Sequence, residues 1–256
     1  MICSSSTVNK STCLNGEQAT RVASIFTDFY GLNGTLVFPR LQPGAELSAF
    51  NIYLSGQPFP YTTDWYRNAV YNDPTWKPEH LSLTDVAYAA QLNLFNISTF
   101  DADLSGFQTF GGKILTYHSM QDQIITSDNL ERYYKKLSAA MSLPPADLDH
   151  FYRYLRISGM GHCSGGPGAW NIGQVYSADP SSFEPEDNVL LAMVRWVEVG
   201  VAPEFVRGTK YVNDTVAKGV EFRRQHCKFP TRNVYVGPGN YTDEAAWKCV
   251  LDLGSV

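Results

Sequence analysis

The sequence predicts an α/β fold, a parallel sheet with crossover helices, preceded by a long loop-rich segment. Two observations carry this. From about residue 105 onward, short apolar runs alternate with amphipathic helical patterns, and the runs end in glycine-rich or polar loops. Earlier in the chain, Gly, Pro and aromatic residues crowd together, as in Phe38-Pro39, Gln57-Pro58-Phe59-Pro60-Tyr61 and Asp73-Pro74-Thr75-Trp76-Lys77-Pro78. That is the composition of covering structure with short elements.

Each element has its own justification. Over residues 15–30, Val22, Ile25, Phe26 and Phe29 fall at helical spacing and Gly31 supplies a stop. A second helix is expected over 84–95. Gly111-Gly112 leads into Lys113-Ile114-Leu115-Thr116-Tyr117-His118, which reads as a buried strand. Ser127 or Asp128 then caps a helix whose apolar face is Leu130, Tyr133, Tyr134, Leu137 and Met141. The next strand covers 152–158, and a helix over 187–199 is ended by Gly200 and Pro203. In such sheets functional groups gather on loops beyond the carboxyl ends of the strands.

Composition narrows the function classes. The 256 residues are 44% hydrophobic, 13% aromatic and 18% charged, with formal net charge -5. A mildly acidic chain without Lys/Arg runs argues against nucleic acid or an anionic membrane as partner. The apolar stretch over 189–201 is interrupted by Arg195, Glu198 and Gly200, so it reads as no membrane span.

Two loops carry candidate chemistry. His118-Ser119-Met120-Gln121-Asp122-Gln123 follows the first strand, and Ser158-Gly159-Met160-Gly161-His162-Cys163-Ser164-Gly165-Gly166-Pro167-Gly168 follows the second. An acid on one loop and a histidine on the next match the second half of the Ser…Asp…His order. Asp122 would accept the imidazole Nδ1–H, fix the tautomer and stabilise the imidazolium. The bland alternative is two ordinary loops. His118 competes as base, although its place at a strand end favours a packed or hydrogen-bonded role. His80, His150 and His226 sit among loop or surface residues. Asp101-Ala102-Asp103-Leu104-Ser105-Gly106 opens like a calcium loop, but Gly112 occupies its twelfth position, which favours a turn.

Cysteines and sequons point outside the cytosol. Asn-X-Ser/Thr glycosylation sequons occur at Asn9, Asn33, Asn96, Asn213 and Asn240. Cys3 with Cys13 and Cys227 with Cys249 lie at disulfide-like spacings, the alternative being reduced structural thiols. The fifth cysteine, Cys163, is left over beside His162: either a free thiol or the partner of a cysteine outside this chain. A Cys163 nucleophile with His162 as base is awkward, because adjacent side chains on an extended loop point in opposite directions.

The stretch from Gly111-Gly112-Lys113-Ile114-Leu115 through Asp122, with 158–168, resembles the fungal tannase and feruloyl esterase family of secreted serine esterases. Weaker matches are Cys13-Leu14 before the helix bearing Gln18, Trp196-Val197-Glu198-Val199-Gly200-Val201-Ala202-Pro203, and Cys227-Lys228-Phe229-Pro230 with Cys249. The likeness spans nearly the whole chain and is closer to the type B feruloyl esterase branch than to tannase proper.

The resemblance implies a partial α/β-hydrolase fold. Residues 1–105 would be the C-terminal part of a lid domain, and 106–256 the C-terminal part of the catalytic domain. Asp122 would be the triad acid and His162 the base of a serine carboxylesterase acting on hydroxycinnamate esters, as small molecules or in the plant cell wall. Gallate esters, the tannase substrates, are the alternative. Cys163 would pair with the cysteine that precedes the nucleophilic serine. That Cys-Ser-x-Gly-Gly segment is absent from the sequence, and Cys3-Ser4-Ser5-Ser6 lacks its glycines. The family's structural calcium would belong to the upstream part of the lid, with no cofactor in this chain. Met1-Ile2-Cys3-Ser4 is no signal peptide, so a secreted body without an address reads as the C-terminal half of a longer enzyme, inactive by itself.

Overall fold

The computed structural model describes residues 2–3, 10–47, 56–174 and 182–252, so the sequon at Asn9 lies outside the described residues. The chain divides into two compact units: residues up to 43 with 50–98, and residues 44–49 with 99 onward.

In the first unit, a Cys3–Cys13 disulfide precedes helix α1, Gly16–Ile25. Asn15 and Gln18 close a reciprocal capping box at its start. The helix stops short of the expected residue 30. Ser24 and Thr27 hydroxyls bond the Arg21 and Ala23 carbonyls, and such local bonds compete with helix continuation. Phe29 and Tyr30 instead form β1 (Phe29–Tyr30), antiparallel to β2 (Leu36–Phe38). Pro60 opens α2, Pro60–Asp64, which widens into a π-helical turn over Trp65–Val70. The aromatic crowding seen in the sequence becomes a small core of Tyr66, Val70 and Trp76, with the Tyr66 and Trp76 rings stacked at 5.1 Å. Helix α3, Leu83–Leu92, starts at a Ser82–Asp85 capping box and ends where Asn93 turns left-handed.

The second unit holds the parallel pair. Helix α4, Ser105–Thr109, is led in by Asp101 and Asp103, whose carboxylates accept the Asp103 and Ser105 amides. Strand β3, Ile114–Ser119, runs parallel to β4, Tyr152–Ile157, joined by α5, Asp128–Met141, and the short α6, Pro145–Leu148. Ser127 makes no side-chain cap to α5; the Thr126 hydroxyl accepts the Asp128 amide instead. Period-two alternation gives β4 packing on both faces. Tyr152 and Tyr154 join Tyr134, Leu137, Leu148, Phe151 and Phe229 in one cluster, while Leu155 and Ile157 join Met160, Trp170, Ile172, Val189 and Val206 in another. Fully burying one such aliphatic side chain contributes roughly 1.5–3 kcal/mol. Strand β3 is only half-buried, contrary to expectation, because among the described residues β4 covers one edge and no strand pairs with the other.

Helix α7, Val189–Val199, is capped by the Asn188 side chain and closed by Gly200 in the left-handed conformation. Beyond it come two antiparallel hairpins that the sequence did not suggest: β5 (Phe205–Tyr211) with β6 (Val220–Cys227), and β7 (Thr231–Tyr235) with β8 (Trp247–Leu251). The Cys227–Cys249 disulfide ties them together. The Phe229 amide donates to the Tyr154 carbonyl at 2.7 Å, fixing the end of the first hairpin to β4.

Candidate active site

Because β3 and β4 are parallel and in register to their last pair, Ser119 with Ile157, their following loops leave the sheet side by side. Backbone bonds join the loops at once: the Met120 amide donates to Ile157 O and the Gln121 amide to Met160 O, both at 3.0 Å.

Asp122 closes the first turn. Its Oδ1 accepts the amides of Ile124 and Ile125, both at 2.8 Å, which leaves Oδ2 directed at the second loop. There Oδ2 meets His162 Nδ1 at 2.9 Å. The carboxylate is 5% exposed and the imidazole 35% exposed. Burial alone would raise the Asp122 pKa. Donors from His118, Ile125, His162 and Ile124 outweigh it and hold the acid below the ordinary carboxylate value. Asp122 is therefore ionised near neutrality, and the His162 ring carries its proton on Nδ1. Nε2 makes no hydrogen bond to any described residue.

The competing histidines have other roles. His118 Nε2 lies 3.0 Å from Ile125 O and 3.5 Å from Asp122 Oδ2, so it braces the acid turn. His80 and His150 are exposed. His226, expected among loop or surface residues, is a correction: it is fully buried on β6. The pattern of half-buried and buried positions Phe222, Arg224 and His226 marks that strand, but its inward residues are largely polar, so hydrophobic reading passed over it.

The second loop is built from close backbone approaches. Gly168 N–H donates to Gly159 O at 2.9 Å and Gly161 N–H to Gly165 O at 3.0 Å. A Cβ at Gly168 would stand 2.1 Å from Ser158 O, so only glycine fits. Side chains to which the sequence reading gave no role also hold this loop. Gln123 Oε1 accepts the His162 amide at 3.1 Å, and Lys210 Nζ donates to Gly166 O at 2.6 Å. Cys163 is an exposed free thiol, left-handed at φ 62°, and both burial around its sulfur and the Asp122 charge push its pKa up. The other four cysteines form the Cys3–Cys13 and Cys227–Cys249 bridges. Among the described residues no group of three or more His, Cys, Asp or Glu is placed to hold a metal ion, and no helix is long and apolar enough to cross a membrane.

A family model described as tannase and feruloyl esterase matches residues 82–250. The chain belongs to that family. It is 52% identical over 250 residues to a probable feruloyl esterase B-2 of Aspergillus fumigatus, covering 98% of this chain and 47% of that protein. A probable feruloyl esterase B-2 of Neosartorya fischeri is 53% identical over the same shares. The crystal structure of feruloyl esterase B from Aspergillus oryzae superposes with a TM-score of 0.90 at 49% identity, covering 97% of this chain and 49% of that one. The α/β architecture read from the sequence agrees with that of these relatives. The chain spans about half the length of the curated relatives it matches.

Proposed function

We propose that this chain supplies the acid and the base of a serine carboxylesterase that hydrolyses hydroxycinnamate esters. The observation that carries the reading is the 2.9 Å Asp122–His162 pair, held by a buried, ionised carboxylate and leaving Nε2 without a hydrogen bond to any described residue. His162 would take the proton of a serine hydroxyl as it attacks the ester carbonyl, then return it to the departing alkoxide. Asp122 would stabilise the imidazolium between those steps. The serine, in a Cys-Ser-x-Gly-Gly segment, is not among these 256 residues. The exposed Cys163 thiol is the natural partner for that segment's cysteine, a bridge that would tie nucleophile and base loops together. The first compact unit, with its aromatic core, would be the later part of the lid, and any structural calcium would belong to lid sequence outside this chain.

The reading places the working enzyme outside the cell, acting on free esters or on plant cell wall. Exposed sequon asparagines at Asn33, Asn96, Asn213 and Asn240 support this; expression in a fungal host should yield a glycosidase-sensitive mass on several of them.

The deciding experiment joins this chain to the N-terminal half of a related feruloyl esterase B. The chimera should hydrolyse methyl ferulate in preference to methyl gallate, and His162→Ala should abolish turnover. Preference for methyl gallate would assign the chain to tannase chemistry, and no turnover on either would sink the reading. By itself the chain should show no esterase activity and no labelling by a fluorophosphonate.

A further inference from the structure

The His162 loop runs over ten residues, Gly159 to Gly168, yet the residues flanking it, Ser158 and Ala169, converge on one buried side chain from another part of the fold. His226 sits on β6, is 0% exposed, and takes no part in the acid–base pair. Its Nδ1 accepts the Ser158 amide at 3.2 Å, where β4 passes into the loop. Its Nε2 lies 2.7 Å from Ala169 O, where the loop ends. An amide can only donate, so Nδ1 is bare, and Nε2 carries the proton that the Ala169 carbonyl accepts. One neutral tautomer satisfies both contacts.

The neighbours leave this ring no other place. Gly208, opposite Arg224 in the β5–β6 register, passes so close that an added Cβ would stand 1.9 Å from Ala169 O and 2.7 Å from His226 Nε2. The Asn171 and Thr209 backbones pair beside it, with amides donating in both directions at 3.2 and 2.9 Å. The β5–β6 hairpin therefore approaches the loop by backbone contact, and the imidazole bridges its entry and exit. Burial pushes the His226 pKa down to about 4, so the neutral form that makes both bonds persists through neutral pH.

We infer that His226 is a positioning residue for His162: by joining Ser158 and Ala169, it fixes the loop so that His162 Nδ1 stays on Asp122 Oδ2. The inference rests on the proposed acid–base reading of that pair. A residue that merely filled core would lower global stability and leave the pair intact in the molecules that remain folded. A positioning residue changes the pair within the folded state.

The test uses this chain and the hydrogen-bonded Nδ1–H proton of His162, followed by NMR well below the unfolding transition. In the native chain it should appear as a downfield resonance that exchanges slowly with water. His226→Phe removes both bonds and should speed that exchange roughly tenfold or more, the effect expected from losing buried hydrogen bonds. His226→Gln, whose amide can still donate toward Ala169 O, should stay within about threefold of native. His226→Asn, which cannot reach Ala169 O, should behave like the Phe variant and serves if that variant does not fold. Equal exchange in the native, Gln and Asn chains would overturn the inference. Absence of the resonance from the native chain would instead refute the Asp122–His162 pairing on which it rests.

Discussion

The Gln121 amide donates to the Met160 carbonyl at 3.0 Å, so the acid turn and the histidine loop are joined by backbone before either functional side chain is considered. The Asp122–His162 bond, spanning 40 residues of sequence, therefore inherits its geometry from the β3–β4 register. Side-chain substitutions near the pair should loosen it without dismantling it.

Gln123 gives the mildest case. Its Oε1 accepts the His162 amide at 3.1 Å, beside the Gln121–Met160 bond. Gln123→Ala should cost about 1 kcal/mol, the usual worth of one such bond. Amide hydrogen exchange at His162 should quicken while exchange at Leu155 stays native. Unchanged protection at His162 would show that the side chain contributes nothing to the loop.

Gly208→Ala should be far more damaging. The new methyl would meet the Ala169 carbonyl at 1.9 Å, a backbone atom that cannot yield without moving the loop. Overpacking of this kind costs about 1–3 kcal/mol or more. Thermal unfolding should show a clear drop in Tm, whereas Gly34→Ala, where nothing lies within 4 Å of an added Cβ, should lose less despite its left-handed φ of 75°.

Stability should fall on acidification in a window set by His226. The unfolded imidazole protonates near 6.5 and the folded one near 4. Between those values the unfolded chain binds a proton that the folded chain refuses, so stability declines as pH falls from 6.5 to 4 and this contribution flattens below. The full difference corresponds to roughly 3 kcal/mol. Asp122, held below the ordinary 3.8, adds stability above that value that is lost as pH falls through its folded pKa. Urea titrations across this range should resolve the upper window, and His226→Gln should remove it.

Cys163 should be the one thiol that reacts with a disulfide reagent in the native chain, since the other four cysteines are bridged. Burial and the Asp122 charge raise its pKa, so the reaction should be slow at neutral pH and accelerate as pH rises. A stoichiometry of three, the count left when one bridge is missing, would contradict the pairing.

The elements most legible in the sequence are those whose apolar residues face inward. Strand β4, the glycine loop after it, and helix α5 all announce themselves in this way, which is why Asp122 and His162 could be assigned to neighbouring loops. The β5–β6 hairpin could not, because Thr209, Lys210, Arg224 and His226 are polar and yet buried. Their burial rests on partners such as Gly166 O, Ala169 O and the Trp247 ring, over which the Arg224 guanidinium lies at 3.9 Å. Such partners are distant in sequence, and no local pattern encodes them. The overlong α1 has the opposite cause: its apolar spacing continues past Ile25, but Ser24 and Thr27 hydroxyls decide the end.

The pinch between Gly159 and Gly168 gives the histidine loop an evolutionary property as well. Its entrance and exit are stitched to each other and to the hairpin, and inside it a Cβ at Gly166 would stand 2.3 Å from Gly159 O, so room for change is left at the exposed positions Cys163 and Pro167. What can vary beside the histidine is therefore confined to a few outward side chains, while the glycine framework is fixed by contact.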